Sequence, residues 1–133
     1  MLKYMLAVAA LATLAPTFVS SFAQAADAQN GEKFFTANCT ACHSTEPGKH
    51  KVGPSLAGVY GRKAGSAEGF KLYKGLAGAK WTWDETTLND YFKDPQGYTK
   101  AKNGKPGAMP FKVGDPKTRE DLIAFLKTVP AGQ

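Results

Sequence analysis

The chain has 133 residues, enough for one small domain. Its 17 Lys and Arg against 11 Asp and Glu give a formal charge of +6, and 43% of the residues are hydrophobic. That balance excludes a disordered polyelectrolyte, and no apolar run beyond the N-terminus approaches the roughly 20 residues of a spanning helix, which excludes a multi-helix membrane protein.

The N-terminus has the marks of an export signal. Met1-Leu2-Lys3-Tyr4 is a short positive stretch, residues 5–19 are apolar, and Ala23-Gln24-Ala25 is a small-x-small cleavage site. Residues 1–25 are expected to be a secretory signal peptide, cut after Ala25, with residues 26–133 as one domain in the periplasm. The competing reading, an uncleaved anchor, suits the short apolar stretch less well. Once the signal is removed, Met109 is the only methionine left. Cys39, Cys42, His43 and His50 are then all the cysteines and histidines.

Three segments carry helical signals. The first runs from Asp27 to about Cys39. The second runs from Thr82 to Lys93, with Thr82 and Glu85 as a capping box and Asp94-Pro95 as its stop. The third runs from Asp115, a good N-cap, through Pro116 at the first helical position to about Thr128. Its Leu122, Ile123, Phe125, Leu126 and Val129 recur at helical spacing. Two long Gly/Pro-rich loops separate the helices, over 44–81 and 95–114, with a helical turn expected near Tyr73–Ala79. Loops of this length in a small domain need a reason. A large apolar cofactor at the centre supplies one, because the loops then wrap it rather than each other.

Cys39-Thr40-Ala41-Cys42-His43 names that cofactor. Cys-x-x-Cys-His is the c-type haem attachment motif: two cysteines one turn apart reach the two vinyl groups, and the adjacent imidazole reaches the iron. A thioredoxin-like dithiol site would need a βαβ pattern, which is missing. A closed zinc site would need four N or S ligands and would have to recruit His50 at an unusual spacing. By elimination Met109, held between Gly107 and Pro110, is the second axial ligand, with His50 or a lysine as substitutes. His50 itself reads as a loop histidine bonded to backbone. The positive excess suits an acidic protein partner. Nucleic acid is excluded, since no basic cluster with interleaved aromatics and no binding motif is present.

With these residues in place the sequence resembles class I cytochrome c, of the mitochondrial and purple-bacterial soluble type, over essentially the whole of residues 26–133. The resemblance implies an all-α fold of three main helices, with short helical turns and long loops wrapped around one covalent haem c. It implies that Gly31 and Phe35 pack on the C-terminal helix near Phe125. The carbonyl of Pro54 would hold the proximal imidazole, and His50 would tie two loops together. Arg62 and Trp83 match residues that bond a buried haem propionate, Tyr91 a tyrosine beside the methionine sulfur, and Phe111 an aromatic that shields the haem edge. Three features depart from the pattern: a longer stretch between Tyr91 and Met109, Gly107-Ala108 before the methionine, and Leu72 where a tyrosine is usual, with Tyr73 one residue late.

The function implied is that of a monomeric one-electron carrier, not an enzyme. It would shuttle between acidic faces of membrane redox complexes: a quinol–cytochrome c reductase, a terminal oxidase or a photosynthetic reaction centre. Electrons would cross at a haem edge near Cys42 and Phe111, within a lysine-bearing face. The alternative within the same chemistry is a dedicated electron-accepting subunit of a periplasmic dehydrogenase. A haem peroxidase or a gas sensor would need a vacant iron position, which Met109 fills.

Overall fold

The computed structural model describes residues 24–132, so nearly all of the expected signal peptide lies outside the described residues. Four helices occur there: α1 (Ala28–Asn38), α2 (Glu85–Lys93), α3 (Pro95–Asn103) and α4 (Pro116–Thr128). No strand forms among the described residues, and the only sheet-like pairing is an isolated antiparallel bridge between Lys63 and Thr82. The all-α expectation holds.

α1 and α4 pack on each other and close the chain. The Asp27 carboxylate caps α1 by accepting from the amides of Gln29 and Asn30. Asp115 caps α4 by accepting from the Thr118 amide, with Pro116 at the first turn as expected. The two axes approach so closely that a Cβ on Gly31 would lie 1.9 Å from the Asp121 carbonyl oxygen. Phe35 lies beside Phe125 at 5.4 Å between ring centroids, and Leu122 and Leu126 are buried. The Asp27 amide donates to the Asp121 carboxylate at 2.6 Å, which ties the start of α1 to the middle of α4.

Two expectations change. The cap of α2 is Asp84, not Thr82, and the box is Asp84 with Thr87. The Asp84 carboxylate accepts from the Thr87 amide at 2.8 Å, and the Thr87 hydroxyl accepts from the Asp84 amide at 2.8 Å. Thr82 is held extended by its bridge to Lys63, and its carbonyl accepts from the Thr87 hydroxyl instead. The second change is larger. Residues 95–103, expected as loop, form α3. Pro95 does not merely stop α2; it opens the next helix, and Gly104 ends it in the left-handed conformation at φ 67°. Thr99 is wholly buried, and its hydroxyl donates to the Pro95 carbonyl at 2.7 Å.

The 44–81 segment is tied down by side chains that bond to backbone. Arg62 donates to the carbonyls of Ala57 and Ser55 at 2.8 and 3.1 Å, and the Ser55 hydroxyl donates to the Glu46 carbonyl at 2.6 Å. The expected helical turn is present: the Ala77 amide bonds the Tyr73 carbonyl at 3.0 Å.

Candidate cofactor cavity

A large cavity of about 420 Å³ lies between the helices and the loops. Its helical wall is mostly apolar, built from Phe35 of α1, Leu88 and Phe92 of α2, and Leu122 and Leu126 of α4, with Thr99 of α3 among its polar members. The loops form the rest, including residues 52–54, 72–76 and 107–111. Cys39, Cys42, His43, Pro54 and Met109 all line it. So do Arg62, Trp83, Tyr91 and Phe111. Residues far apart in sequence therefore meet at one space.

Cys39 and Cys42 follow directly from α1, whose last turn continues as Cys39 amide to Phe35 carbonyl, 2.8 Å. The His43 amide then bonds the Cys39 carbonyl at 2.9 Å, so both thiols and the imidazole leave one tight turn. The two cysteines are not joined in a disulfide. Burial, and then the neighbouring Cys42, push the Cys39 thiol up to about 11, so it stays protonated. A redox dithiol would need the opposite shift.

The His43 ring is oriented by chemistry that leaves no choice of tautomer. Its Nδ1 lies 2.8 Å from the Pro54 carbonyl oxygen. A carbonyl only accepts, so Nδ1 carries the hydrogen and Nε2 keeps its lone pair. Burial lowers the imidazole's pKa, against the pull of the Pro54 bond, so the ring is held towards its neutral, ligating form. Gly53 makes room for this ring: a Cβ there would lie 2.3 Å from Cε1.

His50 has no such lone pair to offer. Its Nδ1 accepts from the Ser55 amide at 3.0 Å, and its Nε2 donates to the Glu68 carbonyl at 2.8 Å. It links two loops, as the resemblance implied. Among the described residues no three His, Cys, Asp or Glu side chains gather into a metal-binding group.

Arg62 lines the cavity with two carbonyl bonds and no carboxylate partner among the described residues. Trp83 is buried against Tyr91, with centroids 4.8 Å apart. Burial pushes the Tyr91 hydroxyl up to about 12, so it remains a proton donor throughout the working pH range. Met109 is partly buried against the core, and Phe111 is half-exposed beside Phe34. Leu72, in the place of the usual tyrosine, is 61% exposed. Tyr73 lines the cavity but donates its hydroxyl to the Ala67 carbonyl at 3.0 Å.

Sequence reasoning missed the glycines that let these loops approach. Besides Gly53, a Cβ on Gly75 would lie 2.5 Å from the Pro106 carbonyl oxygen and 2.7 Å from the Thr99 methyl. These glycines are visible in the sequence, but nothing local says what faces them.

Comparison with known proteins agrees with this arrangement. A family model described as Cytochrome c matches residues 28–130. The cytochrome c2 iso-2 of Magnetospirillum fulvum is 47% identical over 93 residues, 68% of this chain and 91% of its own. The cytochrome c2 of Pararhodospirillum photometricum is 42% identical over 112 residues, 79% of this chain and 99% of its own. The solved structure of cytochrome c2 from Rhodospirillum centenum matches with a TM-score of 0.70 at 31% identity, over 78% of this chain and 98% of its own. The chain belongs to the cytochrome c family, whose members are electron carriers with one covalent haem c rather than enzymes.

Proposed function

We propose that the chain is a periplasmic one-electron carrier in which Cys39 and Cys42 would hold haem c through thioethers and His43 and Met109 would hold its iron. The observation that carries this reading is the Nδ1 bond of His43 to the Pro54 carbonyl, inside a cavity that both thiols and the Met109 thioether also line. A neutral imidazole with a fixed tautomer and a lone pair on Nε2 is what a metal ligand requires, and the carbonyl behind it raises its basicity. When bound, a haem supplies a one-electron couple, and a thioether ligand raises its potential.

The other residues have separate tasks. Arg62, a cation with no carboxylate of its own, and the Trp83 indole offer donors to a buried propionate, which would otherwise be costly to desolvate. Tyr91 keeps its proton and offers a hydrogen bond near the methionine sulfur. Phe111 covers the cofactor edge. With His43 and Met109 both holding the iron, no substrate would need to reach it.

Export follows from the 1–25 signal. Cleavage after Ala25 leaves one residue before the Asp27 cap, so α1 survives processing intact. No described helix is long and apolar enough to cross a membrane. The partners that fit are the acidic faces of a quinol–cytochrome c reductase, an oxidase or a reaction centre.

Absorption spectra of the purified exported protein test the reading. A thioether-haem spectrum in the reduced form, with the weak far-red methionine–iron band in the oxidised form, is expected. Haem without that band would remove Met109 from the iron. No haem in a host competent to attach it would overturn the proposal.

A further inference from the structure

The start of α1 meets α4 at a group of charges. The Asp27 carboxylate caps α1, and the Asp27 amide donates to Asp121 Oδ1 at 2.6 Å. Asp121 is buried, and its carbonyl oxygen lies against Gly31, so its backbone is fixed between the helices. Lys117, one helical turn earlier, bonds the same Oδ1 and also donates to the Ala25 carbonyl at 3.1 Å. Asp115, the cap of α4, stands close enough to push the Asp121 carboxyl up. Arg119 pulls the Asp115 carboxyl down but spends its own donors on Asn89 and on the carbonyls of Val113 and Gly114. Asp27, Asp115 and Asp121 therefore meet here with Lys117 as the cation bonded to Asp121.

Cleavage after Ala25 changes this group in two ways. It removes the carbonyl to which Lys117 donates, and it turns the Ala26 amide nitrogen into an ammonium. Adjacent backbone nitrogens are less than about 4 Å apart, so that ammonium starts about 6 Å at most from Asp121 Oδ1. It starts about 5 Å at most from the Lys117 ammonium, which bonds the oxygen of the same peptide unit. The Asp27 amide and Lys117 both bond Oδ1, and Oδ2 accepts from no donor among the described residues. A carboxylate has about four acceptor sites, so Asp121 has room for a third donor. Ala26 is exposed and precedes the helix, which leaves its nitrogen free to turn toward Oδ2.

We propose that Asp121 receives the mature N-terminus: once the signal is removed, the Ala26 α-ammonium pairs with Oδ2 while the Asp27 amide and Lys117 keep Oδ1. This rests on the export reading and gives signal removal a structural consequence. α1 leads directly into Cys39, Cys42 and His43, and its docking on α4 gains a second cation only in the processed chain. The positive end of the α1 dipole opposes an ammonium at this place, but the Asp27 carboxylate already covers that end. An ion pair with one exposed member is modest in strength, so the test needs a readout specific to the terminus.

Carbon-13 alanine labelling of the reduced, exported holoprotein supplies one, because the Ala26 methyl carbon follows the ionisation of its own α-amine by NMR. Mass spectrometry first fixes the terminus. The parent is compared with Asp121→Asn and with a chain carrying Ala-Ser-Gly-Ser inserted between Ala25 and Ala26. The insertion carries the ammonium away and restores a carbonyl before Ala26 for Lys117. The N-terminal alanine of the parent is expected to titrate above the ordinary α-amine range, and that of both variants within it. A raised folded value gives stability that is fully present below the unfolded α-amine pKa of about 8 and is lost as pH rises through the folded value. At about pH 6 the unfolding constant of the parent in urea should be about threefold smaller than that of the inserted chain, with the gap closed by about pH 10. With Asp121→Asn in both chains the gap should be absent throughout. A parent α-amine that titrates like that of the inserted chain, or a gap that survives Asp121→Asn, would overturn the proposal and leave the export reading intact. A mass that retains residues before Ala26 would sink the cleavage reading and the proposal with it.

Discussion

The α1–α4 junction and the cavity loops are stabilised in different ways. At the junction, Gly31, Phe35, Leu122, Phe125 and Leu126 bury one another directly, and the Asp27 amide is bonded to Asp121. In the loops, side chains reaching backbone, such as Arg62 to Ala57 and His50 to Glu68, join backbone pairs such as the Trp83 amide to the Arg62 carbonyl around the cavity. The polypeptide completes the first region alone, whereas the second buries Val59, Ala79 and Trp83 in the core and turns its other side to the cavity, where the cofactor adds apolar contact. Stability and function are therefore divided between two parts of one small domain.

The sharpest way to break this comparison is to remove the cofactor. Cys39→Ala/Cys42→Ala is expected to abolish covalent attachment and with it most of the cooperative unfolding transition, read by circular dichroism on heating. A cooperative transition near the temperature of the parent would mean that the loops hold themselves. A smaller loss is expected from the junction. Gly31→Ala places a methyl against backbone that cannot turn aside, and about 3 kcal/mol of holoprotein stability should go, measured by guanidinium unfolding. If the variant stays within about 1 kcal/mol of the parent, the helices are not in close contact at that point.

Gly53→Ala probes the loop side. Its methyl meets the His43 ring, so the expected cost is about 2 kcal/mol together with a changed absorption spectrum. The two glycine variants should then differ in kind: Gly31→Ala loses stability with a normal spectrum, and Gly53→Ala perturbs both.

The least effect concerns acid. Burial pushes the Asp121 carboxyl up, but the Lys117 ammonium and the Asp27 amide outweigh it and hold the group below the usual carboxylate range. A depressed folded value means that its contribution is fully present above the unfolded carboxylate pKa of about 4 and is lost as pH falls through the folded value. Urea midpoints should therefore drop on acidification below about pH 4, and Asp121→Asn should show a smaller drop while costing about 1 kcal/mol at neutral pH. An identical acid dependence in the variant would show that Asp121 does not link the helices electrostatically.

The features legible in the sequence are mostly local. The Cys39–His43 spacing, the Asp115-Pro116 start of α4 and the Leu122–Val129 periodicity each lie within a turn or two of chain, where geometry follows from sequence distance. The resemblance adds residues such as Pro54 and Trp83, and the fold brings both to the cavity. α3 is not legible, because Pro95-Gln96-Gly97-Tyr98 has little apolar periodicity and the helix buries mainly Pro95 and Thr99. The cap of α2 is misplaced for a related reason: Thr82 and Asp84 are both good caps, and only the bridge to Lys63 takes Thr82 out of contention.

The sequence by itself determined the Cys-x-x-Cys-His spacing, the order of the main helices and the positive charge, because each depends on residue type and short spacing. Tertiary structure decided which imidazole keeps a lone pair. His43 meets one carbonyl, whereas His50 meets an amide and a carbonyl. It also decided which segments meet, since residues 69–83 and α3 are joined through Asn103, Lys105 and the close approach at Gly75. Contacts between distant segments depend on the shape of the whole chain, and no local pattern encodes them.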